Sequence, residues 1–380
     1  MVPTGFKSAR MPPLMKIGVL TGGGDAPGLN AVIRAIVKCA VTEYGSEVLG
    51  IFNGFGGLLA PPQVRPLSLE DVRGLIARGG TMLGTTTRTN PFSIDGKDRS
   101  KEIIESFRWL GLDALIVIGG DGSLTIAHRL IERGLKVVGV PKTIDNDIEG
   151  TGVTFGYNTA VMTATDAIDK LQTTAESHHR VMFLEVMGRN AGWIALASGI
   201  AGAADVILIP EIPYHVEKIV EKIKSRKLEG REYTIVVVAE GAYEDGEKPS
   251  YIDDDGPRSL QDRRLAGAAE TAARKVGAVT GLDWRVSVLG HLQRGGIPTP
   301  HDRILATRFG ASAVRACHEK RFGTMVAIHA NVIEFVPIDK VIGAVRKVSP
   351  DSELVWTARS LGISFGADLR TSWRDPGIEA

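Results

Sequence analysis

Cysteine is nearly missing from this chain. Cys39 and Cys317 are the only two in 380 residues, too few for a disulfide framework or a metal knuckle. An excess of one charge sign is missing as well. At a formal net charge of +1 no global field recruits nucleic acid or an anionic membrane, and neither is expected as a partner. No apolar run is long enough to span a bilayer. Residues 1–14 hold Lys7 and Arg10 but no apolar core of the signal-peptide kind, so the expected location is the cytoplasm. Residues 1–14 and 371–380 read as loose termini. The P-loop pattern G-x-x-x-x-G-K-[ST] does not occur. The charged stretch Glu244 to Asp262 carries Asp253-Asp254-Asp255-Gly256-Pro257, acids before a glycine, but no Glu follows at the EF-hand position, so the stretch reads as surface loop. There is no low-complexity tract and no short internal repeat.

Glycine is the one excess. Many of its 45 residues cluster where apolar runs end. With 43% hydrophobic and 23% charged residues the chain can bury a full core, and its length suggests two domains. Strand-like runs alternate with helical spacing, which predicts an α/β fold with mainly parallel sheets. Met15–Thr21 reads as the first strand and Leu29–Val41 as a helix, with Leu29, Val32, Ile33 and Ile36 on one face. Between them lies Gly22-Gly23-Gly24-Asp25-Ala26-Pro27-Gly28. Such a turn lets backbone N–H groups reach a phosphate at the helix's positive end. The fingerprint G-x-G-x-x-G is not cleanly met, because Asp25 and Pro27 fall inside it. Glu47–Phe52 reads as a second strand, followed by the turn Asn53–Gly57. Gly79–Arg88 offers hydroxyls, backbone donors and one guanidinium, a composition that suits phosphate and equally a solvated loop.

Leu115–Ile118 reads as a core strand ending in Gly119-Gly120-Asp121-Gly122-Ser123, with a helix beginning at Leu124. A carboxylate inside a phosphate-type loop makes sense if a divalent cation lies between the two. The alternative is Asp121 or Ser123 as a helix cap, and the doubled glycine weighs against it. Leu135–Val140 reads as a buried parallel strand stopped by Pro141, after which come Lys142-Thr143-Ile144-Asp145-Asn146-Asp147. Carboxylates just past such a strand lie where open α/β sheets bind ligands. One can accept a proton and the other can hold a metal or orient the first. A polar turn would use the same residues. Matching chemistry at other strand ends favours the site.

Thr159–Lys170 reads as a helix, and Val181–Val186, Thr234–Ala239 and Val286–Gly290 as strands, the last being the final one. Their ends carry Met187-Gly188-Arg189, Glu240-Gly241 and His291-Leu292-Gln293-Arg294-Gly295-Gly296. Asp302–Ala316 is strongly helical, and beyond Val336 the pattern is mixed helix and tail. Arg180, Arg189, Arg285 and Arg294 stand near strand ends or their flanks, and their guanidinium forks suit a phosphate that is held but not attacked. A nucleotide-type cradle together with an arginine cluster points to phosphoryl transfer between two phosphorylated partners.

TGGGDAPG (21–28), GGDGS (119–123), PKTIDND (141–147), MGR (187–189) and GHLQRGG (290–296) occur here in one order, and that order resembles the 6-phosphofructokinases from about Met15 to about Ala330. The resemblance implies two Rossmann-like three-layer domains with mainly parallel sheets. One domain would hold 15–155 plus about 292–340 and bind nucleotide. The other would hold 156–291 plus about 341–370 and bind the sugar phosphate in the cleft against the first. It implies ATP as donor, Mg2+ as cofactor and fructose 6-phosphate as acceptor. Asp145 would be the base for the sugar 1-hydroxyl, Asp147 a support to it and to the magnesium, and Thr143 a contact of the transferred phosphoryl group. Gly23, Gly24, Arg88, Gly120, Gly122 and Ser123 would cradle the nucleotide, and Asp121 would serve the magnesium. Met187, Gly188, Arg189, Glu240, His291 and Arg294 would bind the sugar phosphate, and Arg189 would also take part in catalysis. Arg180 and Arg285 match positions that reach it from a neighbouring subunit, which implies a homodimer or homotetramer.

In this family ATP users resemble GGDG with P-G-T-I-D, and pyrophosphate users resemble GGDD with P-K-T-I-D. This chain pairs Gly122 with Lys142, a mixture that resembles the family's long-chain branch. Gly122 leaves open the path of the nucleotide's inner phosphate, and Lys142 adds positive charge that helps either donor. The steric point favours ATP, with a pyrophosphate-dependent enzyme as the alternative. Arg34 is kept where short bacterial relatives bind ADP or phosphoenolpyruvate, but Lys38 and Gln172 replace arginines, so control by those effectors is expected to be weak. An NAD or lipid kinase would leave MGR and GHLQRGG without a role. A dehydrogenase would need a cleaner fingerprint ahead of Glu43 or Glu47. A non-catalytic sugar-phosphate sensor would be expected to lack Asp145 or Asp121.

Overall fold

The computed structural model describes residues 14–249, 251–252, 264–265 and 267–369. Of the stretch 244–262, read above as surface loop, residues 250 and 253–262 lie outside that set and Tyr251–Ile252 instead pair as a short strand with Arg264–Leu265; the expected loose termini apart from Leu14 lie outside it as well. The chain falls into two compact units. The first comprises the described residues of Met1–Lys142, Gly150–Phe155 and Pro300–Gly343. The second comprises those of Thr143–Glu149, Gly156–Thr299 and Ala344–Ala380.

The first unit is built on an eight-stranded sheet. Its strands are β1 (Lys16–Thr21), β2 (Glu47–Ile51), β3 (Val64–Leu67), β4 (Ala114–Gly119), β5 (Val137–Thr143), β6 (Phe155–Gly156), β13 (Thr324–His329) and β14 (Val332–Pro337). They run in the order β14-β13-β5-β4-β1-β2-β3, with β6 beside β5. The pairs β2–β1, β1–β4, β4–β5 and β5–β13 are parallel, and β3 and β14 add antiparallel edges. Period-two alternation sends Ile17, Val19, Ile116 and Val138 to one face, under α1 (Leu29–Tyr44) and α8 (Pro300–His318). Leu20, Leu115, Val117 and Val137 go to the other face, under α2 (Ser100–Trp109) and α3 (Asp121–Ile131). Strands buried on both faces read as continuous apolar runs, which is why β1, β4 and β5 are visible in sequence.

The second unit carries a four-stranded, all-parallel sheet, β12 (Trp284–Val288), β7 (Val181–Val186), β9 (Thr234–Ala239) and β8 (Val206–Leu208), in that order. The helices α6 (Val216–Leu228) and α7 (Ala268–Thr280) pack on one face through Ile219, Ile223, Ala269 and Ala273, against Phe183, Val236 and Val238. The helices α4 (Tyr157–His178), α5 (Trp193–Ala201) and α9 (Glu353–Ser360) and the two-stranded hairpin β10 (Tyr251–Ile252) and β11 (Arg264–Leu265) complete the described elements. Among the described residues no helix is long and apolar enough to cross a membrane.

Several element boundaries differ from expectation. Pro141 does not stop its strand, for β5 runs through it to Thr143 with Pro141 opposite Gly119. Proline's fixed φ tolerates extended backbone, and the pairing of β5 with β13 has already ended at Gly139, so the missing N–H falls beyond that ladder. α3 begins at Asp121, three residues before Leu124. α4 spans 22 residues and continues well past Lys170. Residues Gly54–Leu58 form a short 3-10 helix, not an open turn. The strand before His291 ends at Val288, and it is not the last, because the β13–β14 hairpin follows. Its outer strand is only partly buried, so the apolar run that marks central strands is absent there.

Candidate active site

In the first unit, three strand ends and one long loop converge. The turn after β1 is tied to β4 by Gly22 N–H on the Ile118 carbonyl (2.9 Å), and to the 79–88 loop by Gly23 N–H on the Thr86 carbonyl (3.1 Å). The Thr85 hydroxyl donates to the Gly23 carbonyl (2.6 Å), and the Thr21 hydroxyl to the Gly84 carbonyl (2.7 Å). The hydroxyls of that loop therefore brace the glycine turn instead of all facing solvent, and Arg88, itself exposed, donates its N–H to the Thr86 hydroxyl (3.1 Å). Lys142 is buried, and its ammonium donates to the Gly24 carbonyl. A lysine expected to act only beside the transferring group thus also anchors the first glycine turn.

Asp121 and Ser123 occupy the first turn of α3, with Gly120 as N-cap and no side-chain cap. Neither residue caps the helix. A Cβ on Gly119 would lie 2.3 Å from the Ser123 Cβ, so that glycine is required by close packing on the turn. A Cβ on Gly122 would meet nothing within 4 Å, so no protein neighbour demands glycine at that position. The Asp121 carboxylate, half-buried, accepts the Gly343 N–H at 2.9 Å.

In the second unit, the end of β5 and its following turn present Thr143, Asp145 and Asp147. The Thr143 hydroxyl accepts the Asp145 N–H (3.0 Å), and Asn146 takes a left-handed φ of 55°, which asparagine tolerates well. Asp145 is only 6% exposed, and its Oδ1 has no hydrogen-bond partner. An orphaned buried carboxylate oxygen costs about 1–3 kcal/mol, so a ligand that donates to it is favoured.

Glu240 follows β9 and accepts the Arg189 N–H at 3.0 Å. Burial, then the neighbouring Asp145 charge, push the Glu240 carboxyl up to about 7, with Arg294 pulling the other way. The charges of Asp145 and Arg294 thus act on Glu240, while Arg189 joins them through its backbone N–H. Arg189 is exposed, with a left-handed φ of 52°, and a Cβ on Gly241 would lie 2.1 Å from its carbonyl oxygen. The turn after β7 therefore needs glycine beside Glu240. Gln293, fully buried in the 3-10 turn Gly290–Arg294, accepts the Met187 N–H at 2.8 Å and fixes that turn against the end of β7. His291 is exposed on the same turn.

Two of the expected residues are not with the others. Arg180 precedes β7, and Arg285 sits opposite Met182 at the start of β12, whereas Arg189 follows the far end of β7. Six residues of strand separate the two groups by about 20 Å. Arg180 and Arg285 instead share Asp283, which accepts Arg180 Nε at 2.5 Å and also pairs with Arg285. The Arg180 hydrogen bond, followed by the Arg285 one, holds the Asp283 carboxyl below the usual range. Sequence reading passed over Asp283, although its spacing of two residues from Arg285 was a signal. It also gave no separate role to Gln293, which lies inside a quoted motif.

By architecture this is a parallel α/β protein whose glycine-rich strand-to-helix turns and buried carboxylates collect at strand ends, the place such sheets bind phosphorylated ligands. Residues 16–317 match the family model described as phosphofructokinase. The chain is 50% identical over 367 residues to ATP-dependent 6-phosphofructokinase 2 of Clostridium perfringens, covering 93% of this chain and 99% of that protein. It is 50% identical over 363 residues to ATP-dependent 6-phosphofructokinase of Chloroflexus aggregans, covering 93% and 98%. Among solved structures, phosphofructokinase from Saccharomyces cerevisiae superposes with a TM-score of 0.74 at 32% identity, over 93% of this chain and 48% of that one, so the chain spans about half of the yeast protein. The chain belongs to the phosphofructokinase family.

Proposed function

We propose that this protein is an ATP-dependent 6-phosphofructokinase. It transfers the γ-phosphoryl group of ATP to the 1-hydroxyl of fructose 6-phosphate, giving fructose 1,6-bisphosphate and ADP. The observation that carries this reading is Asp145, a buried carboxylate with an unpartnered oxygen in a turn that also carries Thr143 and Asp147. The names and the half-identical sequences of the two bacterial relatives support the donor and the acceptor.

Asp145 takes the proton from the 1-hydroxyl as that oxygen forms its bond to the γ-phosphorus, and the bond from phosphorus to the β–γ bridging oxygen breaks. Proton acceptance answers the orphaned Oδ1 directly. Thr143 contacts the group in transfer and Asp147 supports the base. Gly24, Gly120, Gly122 and Ser123 offer backbone and hydroxyl donors to the nucleotide phosphates, Gly23 shapes the turn with its own N–H on the Thr86 carbonyl, and Arg88 offers a guanidinium. Met187, Gly188, Arg189, Glu240, His291 and Arg294 hold the sugar phosphate.

The residues present fit a magnesium ion. No group of three or more His, Cys, Asp or Glu among the described residues forms a metal cage. Magnesium does not ask for one, since it is held by one or two carboxylates with waters and substrate phosphates. Asp121 supplies such a carboxylate, partly exposed beside the phosphate-type turn. When bound, the ion neutralises phosphate charge during transfer.

Arg180 and Arg285 lie at the opposite end of β7 from Arg189, which fits service to the sugar phosphate of a neighbouring copy, and the active enzyme is a homodimer or homotetramer in the cytoplasm. Gly122, with open space where its Cβ would be, supports ATP over pyrophosphate. Assaying fructose 6-phosphate phosphorylation with ATP and with pyrophosphate, both with magnesium, tests the reading. ATP-driven turnover is expected. Pyrophosphate-driven turnover alone would overturn the donor, and turnover with neither would overturn the kinase.

A further inference from the structure

The turn that carries Asp145 is held from behind by a segment outside the family-model match. Residues 344–350 lie beyond residue 317, where that match ends, yet they pack in the second unit against Thr143–Glu149. Val345 pairs with Ile148 in an antiparallel bridge. Arg346 then makes two consecutive contacts on the carboxylate turn. Its N–H donates to the Asp147 carbonyl (2.9 Å), and its Nη1 donates to the Asn146 carbonyl (3.2 Å). Asn146 is the left-handed residue between the two carboxylates and is only 4% exposed. Its carbonyl needs a donor that water cannot readily supply.

Arg346 is itself tightly set. Its guanidinium lies over the Trp193 ring, 4.3 Å from the centroid, and Trp193 Nε1 donates to the Arg346 carbonyl at 2.8 Å. The Tyr157 hydroxyl donates to the Trp193 carbonyl at 3.2 Å. Glu211 accepts N–H groups from both Gly192, just before Trp193, and Val348, two residues after Arg346 (each 2.9 Å). One carboxylate thus ties the start of α5 to the 344–350 segment. Planar stacking together with forked donation is available to arginine and not to lysine.

We propose that Arg346, braced by Trp193, is the positioning residue of the catalytic turn: it fixes the Asn146–Asp147 backbone and so aims the Asp145 carboxylate. The inference rests on Asp145 being the base. Loss of the guanidinium lets the turn relax, and misplacement of a catalytic group by about 1 Å costs on the order of a hundredfold in rate. In the full-length enzyme with ATP and magnesium, Arg346→Ala is expected to lower kcat roughly ten- to a hundredfold. KM for fructose 6-phosphate should stay within about threefold, because the hydrogen bond and ring contact of the Arg346 guanidinium fall on the base's turn and on Trp193.

Added methylguanidinium should restore part of kcat to Arg346→Ala and leave the wild type unchanged, a response that a general loss of folded protein would not give. Arg346→Lys should fall between wild type and alanine. Wild-type kcat in Arg346→Ala, a defect confined to KM, or no rescue would each overturn the proposal. Should Arg346→Ala fail to fold, Trp193→Phe carries the test. It removes the indole donor but keeps a ring, and a severalfold loss of kcat at unchanged KM is expected, whereas full kcat would overturn the proposal. Asp145→Asn run in parallel separates the two ideas. If it keeps turnover, the base assignment falls; if it is inactive while Arg346→Ala retains full kcat, only the positioning inference falls.

Discussion

Glu240→Gln should make the folded protein lose less stability as pH rises. The wild-type carboxyl is raised from 4.5 to about 7, first by burial and then by the Asp145 charge. A group raised on folding keeps its proton in the native state where the unfolded chain has released it. Its stabilising share is whole below about pH 4.5 and is lost as pH climbs through about 7. At about 1.4 kcal/mol per pH unit, the full span amounts to about 3 kcal/mol, of which about 2 kcal/mol falls between about pH 5.5 and 8.5. Glutamine cannot ionise, but its side-chain carbonyl can still accept the Arg189 N–H that Glu240 accepts at 3.0 Å. The turn is therefore kept while the titration is removed. Urea unfolding of wild type and variant, side by side across that pH range, reads the effect. The wild type should lose about 2 kcal/mol relative to Glu240→Gln on going from the acid to the alkaline end. A constant offset would show that Glu240 ionises like an exposed carboxylate and would refute the reasoning.

Two further substitutions follow from the site. Asp145→Asn should remove most turnover, roughly a hundredfold or more, while fructose 6-phosphate still binds; weakened binding with normal turnover in steady-state kinetics would refute its assignment as base. If Arg285 holds the sugar phosphate of a neighbouring copy as proposed, Arg285→Ala removes a charge-assisted contact of about 1.5–3 kcal/mol and should raise KM for fructose 6-phosphate roughly ten- to a hundredfold. An unchanged KM would count against a site shared between subunits.

What was legible in the sequence was what local pattern controls. β1, β4, β5, β7 and β9 are short apolar runs buried on both faces, and their ends fall at the quoted motifs because glycine and polar residues cannot continue such a run. The turn residues Asp121, Asp145, Arg189 and Glu240 could be picked out for the same reason. Pro141 misled, because a proline's meaning in a strand depends on where the neighbouring ladder ends, which is not a local property. The β13–β14 hairpin was missed because its outer strand is only partly buried.

The amino-acid sequence by itself determined the α/β class, the family and the identity of the residues at the strand ends, since these depend on period, composition and motif order. Only the tertiary structure decided how those residues are placed. It put Arg180 and Arg285 at the opposite end of β7 from Arg189, bound Lys142 to Gly24, drew Glu240 close enough to Asp145 to raise its pKa, and laid Arg346 behind Asn146 across 200 residues of chain. Hydrogen bonds and Coulomb interactions act over a few ångströms, and which groups come within that range is set by packing and not by separation along the chain.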